Sequence, residues 1–157
     1  MQGSLETALG QKMVWPERKI ESIEQFLVRF PDIKDVIIDG TERPVQRPQD
    51  PQKQKDCYSG KKRRHTRKHI TGSTRTKRVI VLTKARDGRI HDKRQLDEEE
   101  VVEHIPDAVS LEGDLGFQGL QNEFVNIRLP HKKPKGKALS ESQKQEDKDF
   151  STQRVVC

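Results

Sequence analysis

The chain has 157 residues, of which 30% are hydrophobic and 36% charged, with a formal net charge of +6. That length suits one domain, and so thin an apolar content argues against a large core. No apolar run reaches bilayer length, no basic-then-apolar leader opens the sequence, and Cys57 and Cys157 match no metal or redox spacing, so the chain reads as a soluble, intracellular, basic protein.

Residues 1–32 are predicted to be a helical N-terminal segment. From Glu17 to Phe30 the apolar residues Ile20, Ile23, Phe26, Leu27 and Phe30 keep the three-four spacing of an amphipathic helix, and Pro31 ends it. The β-branched run Val36-Ile37-Ile38 predicts a strand over 33–39. Residues 43–56, "RPVQRPQDPQKQKD", carry three prolines and few apolar side chains and read as an exposed loop. Strands are expected at 66–73 and 77–84, with "RDGR" at 86–89 as a hairpin-type turn.

A helix is predicted from Leu96 to His104, with Asp97, Glu98 and Glu99 in its first turn, where the macrodipole favours anions. Residues 108–120 read as a strand running into a glycine-rich turn, and 124–130 as a further strand stopped by Pro130. A basic loop follows over 131–137. A polar helix then covers 140–157, with Ser140 as N-cap. This order of elements implies a mixed α/β sheet flanked by helices.

Charge is blocked along the chain. Lys53 to Arg94 holds 16 Lys and Arg against 3 Asp and Glu, whereas Gln95 to Glu123 holds 9 acids and no Lys or Arg. The basic block suits a polyanion, and the acidic block suits divalent cations. Six of the eight residues from Lys61 to Lys68 are basic, a pattern that nucleic acid rewards through counterion release and that a solvated loop shares. Asp39 and Asp114 each follow a predicted strand and stand beside glycines. A lone Asp-Gly after a strand is more often a turn than a metal ligand, although the glycine also leaves the carboxylate open to a ligand. Two such acids brought together by a fold are what two-metal phosphoryl chemistry requires.

Four stretches resemble one family in order: "IIDGTERPVQRP" at 37–48, "YSGKKRRHTRK" at 58–68, "GDLGFQG" at 113–119 and "LPHKKPKGKALSESQKQEDKDFSTQRVV" at 129–156. They are similar to the catalytic domain of bacterial insertion-sequence transposases, the DDE superfamily endonucleases. "HDKRQL" at 91–96 resembles that family's His-Asp segment.

The resemblance implies a ribonuclease H-like fold over residues 33–157. Asp39 and Asp114 would be the catalytic, metal-binding aspartates, holding two Mg²⁺ or Mn²⁺ ions. Lys61, Lys62, Arg63, Arg64, Arg67 and Lys68 would lie along DNA, and Gly113, Gly116 and Gly119 would shape the turn at Asp114. Asp92 would be an auxiliary carboxylate or a helix N-cap. Glu112 is set aside on the expectation that it faces away from Asp114.

The family's third acid, a glutamate after the "RVV" segment, finds no match before "QRVVC", nor does its N-terminal helix-turn-helix. The expectation is therefore a domain incomplete at both ends. Its chemistry would be metal-dependent cleavage and transfer of double-stranded DNA, at transposon ends and target, in the bacterial cytoplasm near the nucleoid. This chain alone would be weak or inactive unless a second chain supplies the glutamate. The alternatives are a basic remnant that binds DNA without cutting it, and a decayed remnant that folds poorly.

Overall fold

The structure is a computed structural model describing residues 16–154. Helix α1 (Ile23–Arg29) is followed by β1 (Asp35–Pro44), α2 (Pro51–Cys57), β2 (Tyr58–Ser59), β3 (Arg64–Ser73), β4 (Val79–Leu82), β5 (Arg86–Asp87) and α3 (Asp92–Glu98). After these come β6 (Ser110–Glu112), two 3₁₀ turns (Leu115–Phe117 and Leu120–Asn122), β7 (Ile127–Arg128) and α4 (Glu141–Arg154). Among the described residues no helix is long and apolar enough to cross a membrane.

One mixed sheet organises these elements. β1 pairs antiparallel with β3 over Ile37↔Ser73 to Pro44↔Thr66, and β6 lies parallel to β1 on its other edge. β7 extends the parallel side. The far edge of β3 is shared by β2, β5 and β4 in turn, all antiparallel to it. The spatial order along the upper part of the sheet is therefore β4-β3-β1-β6-β7.

Both faces of the sheet are covered, which explains the unbroken apolar run of β1. Successive side chains alternate between faces. Val36 and Ile38 enter the main core with Ile70, Ile80, Val81, Leu96, Leu111 and Phe117, joined by Ile20, Phe26 and Phe30 from the segment around α1. Ile37, also buried, turns the other way. On that second face α4 seats Phe150, whose ring lies under the guanidinium groups of Arg128 and Arg154 at 5.2 and 5.6 Å. His131 ties the preceding loop to α4 through its backbone N–H and ring Nδ1, both 2.9 Å from Asp147 Oδ1.

Several expectations need correction. The helix expected over 17–30 forms only over Ile23–Arg29, because Ser22 caps it and Glu17 bonds Ile80 and Leu82 at the edge of β4; residues 1–15 lie outside the described residues. The expected loop at 43–56 holds the end of β1 and all of α2. There Asp50 accepts from Lys53 N at 2.7 Å and Pro51 occupies the first turn, where its missing N–H costs nothing.

The turn expected at 86–89 begins as β5, paired with Arg67 and Lys68. The helix expected over 96–104 is α3, four residues earlier. Its acids Asp97 and Glu98 lie in the last turn, where i,i+4 pairs with Lys93 and Arg94 offset the unfavourable dipole. Glu100, at φ 49°, closes α3, and Val101 N reaches back to Leu96 O. The strand expected over 124–130 shrinks to Ile127–Arg128, and Ser140 caps α4 as expected.

Ile38 is fully buried at the centre of this sheet, whereas Val125 is 90% exposed. Ile38→Ala is expected to destabilise the fold by about 2–5 kcal/mol through lost burial and a residual cavity. Val125→Ala should stay within about 0.5 kcal/mol of the parent. Urea unfolding of the two variants checks both, and equal effects would reject this assignment of the core.

Candidate active site

Asp39 lies two residues beyond Ile37 in β1, and Asp114 two residues beyond Glu112, the partner of Ile37 in the parallel pair. Both acids thus follow the last paired rung of the parallel β1–β6 ladder by two residues, Asp39 still within β1 and Asp114 already at the start of the next 3₁₀ turn. Asp39 is exposed and lines an open hollow of about 400 Å³ with Ile37, Thr41, Thr71, Lys77 and Arg154. Its side chain makes no hydrogen bond or ion pair among the described residues; only its backbone oxygen is engaged, accepting from Thr71 Oγ1 at 3.2 Å. Asp114 is half-buried, and its Oδ1 accepts from Gly116 N at 2.8 Å, folding the chain into the 3₁₀ turn that follows.

The opposite face of β1 carries a second acidic group, which the sequence did not reveal. β3 alternates strictly, so Lys68 points inward with Thr66 and Ile70, and the register sets it opposite Glu42. Lys68 is nearly buried. Its Nζ meets Asp92 Oδ1 at 2.7 Å, Ile90 O at 2.8 Å and Glu42 Oε1 at 3.7 Å. A buried ammonium demands such partners.

Thr66 Oγ1 donates to Glu42 Oε2 at 2.8 Å. Burial pushes the Glu42 carboxyl up, but hydrogen bonds from Ser59 and Thr66 and the charges of Lys68 and Lys61 outweigh it and hold the group below its ordinary value. The signal for Glu42 was present in period-two spacing from Ile38, but only the register names its partner.

Asp92 is the first residue of α3 rather than its cap, which is His91. It is packed against backbone from two sides. A Cβ on Gly40 would stand 2.7 Å from Asp92 Oδ1, and one on Gly116 would stand 2.5 Å from Asp92 Oδ2 and 2.9 Å from Asp114 Oδ1. Glycine is needed at both positions to let Asp92 in. Since Gly40 and Asp39 point to opposite faces, Asp92 approaches Asp114 but not Asp39.

The basic residues separate into two groups. Lys61, Lys62, Arg63 and Arg64 are exposed in and after the turn joining β2 to β3, where Arg63 takes left-handed backbone at φ 51°. None of them forms a salt bridge among the described residues. Arg67 instead pairs with Asp87 at 2.5 Å and donates to Ala85 O, and Lys68 is turned inward as described. Lys68 therefore leaves the proposed DNA-facing strip.

Glu112 also needs a corrected reason. Residues two apart in a strand share a face, so it does not turn away from Asp114 by alternation. It is removed from ligand duty by burial and by ion pairs to Arg75 and, at 3.5 Å, to Arg128.

A family model described as DDE superfamily endonuclease matches residues 38–157. This chain belongs to that family. Among curated relatives, a probable transposase for insertion sequence element IS702 from Microchaete diplosiphon is 34% identical over 122 residues, which cover 77% of this chain. The chain spans 42% of that relative's length. No solved structure matches.

For a DDE superfamily endonuclease the donor chemistry at Asp39 and Asp114 fits a hard divalent cation. Both offer carboxylate oxygen, and Asp39 has no competing protein partner among the described residues. Mg²⁺ commonly binds through one or two carboxylates and fills its remaining positions with water and phosphate. Among the described residues no group of three or more His, Cys, Asp or Glu is arranged to hold a metal.

The Lys68 cluster yields a stability prediction. Lys68→Met leaves Glu42 and Asp92 facing each other without their cation and is expected to cost about 3–5 kcal/mol in urea unfolding at neutral pH; a cost below about 1 kcal/mol would reject the clamp. Because the folded-state pKa of Glu42 is lowered, its contribution is present above the unfolded carboxyl range near ~4.3 and fades as pH falls through the lower folded value. Glu42→Gln should flatten that acid limb of the stability profile.

Proposed function

We propose that this DDE superfamily endonuclease is the catalytic core of an insertion-sequence transposase, which cleaves and joins DNA strands with divalent metal. The observation that carries the reading is the parallel β1–β6 register, whose last pair, Ile37↔Glu112, stands two residues before Asp39 and two before Asp114. The strand order β4-β3-β1-β6-β7, antiparallel on one side of β1 and parallel on the other, supports a ribonuclease H-like fold.

In this reading Asp39 and Asp114 hold Mg²⁺ or Mn²⁺. When bound, such ions supply Lewis-acid activation of water and neutralise charge on the phosphodiester. The chain's own groups do the rest. Lys61, Lys62, Arg63 and Arg64 grip the phosphate backbone, while Asp92 is a positioning residue that packs the Gly116 turn and so fixes where Asp114 points. Arg154, the last described residue of α4, lines the Asp39 hollow. The partner is double-stranded DNA.

A second reading, binding of DNA without cutting, draws on the exposed Lys61 to Arg64 alone, which form no salt bridge among the described residues.

Mn²⁺ uptake followed by electron paramagnetic resonance, with DNA binding measured in parallel, separates the two. The metal reading expects the parent chain to bind Mn²⁺, and Asp39→Asn or Asp114→Asn to weaken uptake about tenfold or more while sparing DNA binding. Uptake indifferent to both substitutions would overturn it. If Lys61, Lys62, Arg63 and Arg64 all contact phosphates, log affinity for duplex DNA should fall against log salt with a slope of about −3.6, each alanine substitution lowering the magnitude by about 0.9. Affinity unmoved by salt would reject the basic strip as a DNA contact.

A further inference from the structure

One open hollow lies away from Asp39, and neither the metal reading nor the phosphate strip uses it. It has a volume of about 780 Å³ and is lined by Arg47, Lys55, Tyr58, Gly60, His65 and Arg89, among other residues. Its size is that of a site for a small organic molecule rather than for a duplex.

Three features of the hollow stand out together. No acidic side chain lines it, and among the described residues Arg47, Lys55 and Arg89 form no salt bridge, unlike Arg67, Arg75, Arg86 and Lys93 nearby in sequence. Arg47 is nonetheless held in place, donating from Nε and Nη2 to the neutral Gln54 Oε1 at 3.0 and 2.8 Å, which orders the guanidinium without cancelling its charge. Tyr58 is 44% exposed in a protein that buries most of its large apolar groups. Its ring meets His65 edge to face, centroids 5.6 Å apart at 74°, so the ring is oriented without being sandwiched.

Uncompensated cations around an exposed, oriented aromatic ring match two parts of a nucleotide at once. The cations attract phosphate, and the ring offers a stacking surface to any base. Bases inside a duplex are already stacked and present only their edges, so the ring can serve only an unpaired one. The hollow also adjoins the Lys68 cluster. A smaller pocket of about 210 Å³ shares Tyr58, Gly60 and Arg89 with it and continues to Lys68 and Asp92, whose carboxylate packs against the Asp114 turn.

We propose that this hollow binds an unpaired nucleotide of the DNA substrate, its base against Tyr58 and its phosphates against Arg47 and Arg89. The inference rests on the DNA-processing reading above and deepens it: the substrate is DNA with a single-stranded segment next to the duplex held by Lys61 to Arg64.

The test is fluorescence anisotropy with three labelled oligonucleotides: a blunt duplex, the same duplex with a single-stranded tail, and that duplex with a tail of abasic residues. The parent chain is expected to prefer the natural tail over the abasic one. Tyr58→Ala should weaken binding to the natural tail between about fivefold and a hundredfold while leaving the blunt duplex unchanged, and Tyr58→Phe should retain the preference. Arg89→Ala should weaken both tailed forms, because phosphates remain in the abasic tail.

Equal binding of natural and abasic tails, or equal loss on blunt and tailed DNA in Tyr58→Ala, overturns the proposal while leaving salt-dependent duplex binding intact. Absence of binding to all three DNAs removes both this proposal and the DNA reading beneath it.

Discussion

The arrangement around Lys68 constrains more of this protein than any other contact. Strict alternation along β3 forces a lysine onto the core face of the sheet, and a buried ammonium is tolerated only with anionic partners at hand. One partner, Glu42, comes from β1 and the other, Asp92, from the start of α3. The lysine thereby fixes α3 against the sheet, where Gln95 adds hydrogen bonds to Lys68 O and Lys84 O. Gly40 and Gly116 follow from the same demand, since a Cβ at either would meet the Asp92 carboxylate. A turn that carries Asp114 is thus shaped by a charge on the other side of β1 from Asp39.

The second face is organised by arginines. Arg75 pairs with Asp35 at 3.1 Å and with Glu112, and donates to Gln153 O of α4 at 3.4 Å. Arg128 joins Glu112 while covering Phe150. An acid two residues before Asp114 is thus buried and paired, while Asp39 on the neighbouring strand stays open. Burial separates two kinds of carboxylate here: Glu42, Asp92 and Glu112 inside have cations, whereas Asp39 at the rim has none among the described residues.

Much of this was legible in the sequence because it depends on local pattern. The β-branched run at 36–38 made β1, the periodicity and Pro31 bounded α1 at its C-terminal end, and Ser140 capped α4. Family resemblance singled out Asp39 and Asp114, which turn statistics alone left as turn residues. What failed did so for non-local reasons. Prolines at 44, 48 and 51 read as a loop, yet one ends β1 and another opens α2. The acids at 97–99 read as a helix start, yet their pairs with Lys93, Arg94 and Arg86 let them end one. Lys68 read as one more basic residue in a strip, and nothing short of the β1–β3 register distinguishes it from Lys61.

The same sorting acts on the two opposed charge blocks. As sequence, the acidic block from Gln95 to Glu123 offered nine candidate cation ligands. In the fold most of them are consumed: Asp97 and Glu123 by Lys93, Glu98 by Arg94, Glu99 by Arg86, Glu100 by Lys19, and Glu112 by Arg75 and Arg128. Of that block, Glu103, Asp107 and Asp114 form no salt bridge among the described residues, and only Asp114 leaves a strand beside β1. The basic block gives up Arg67, Lys68, Arg75, Arg86, Lys93 and Arg94 to these pairs, and among its members without a salt bridge in the described residues are Lys61 to Arg64 at the β2–β3 turn and Lys55 and Arg89 at the hollow they share with Arg47. Mutual neutralisation inside the fold thus consumes six of the nine acids of that block and leaves the turn around Lys61 to Arg64 as an exposed cationic edge. In the transposase reading proposed above, phosphate would be held at that edge and metal at Asp39 and Asp114.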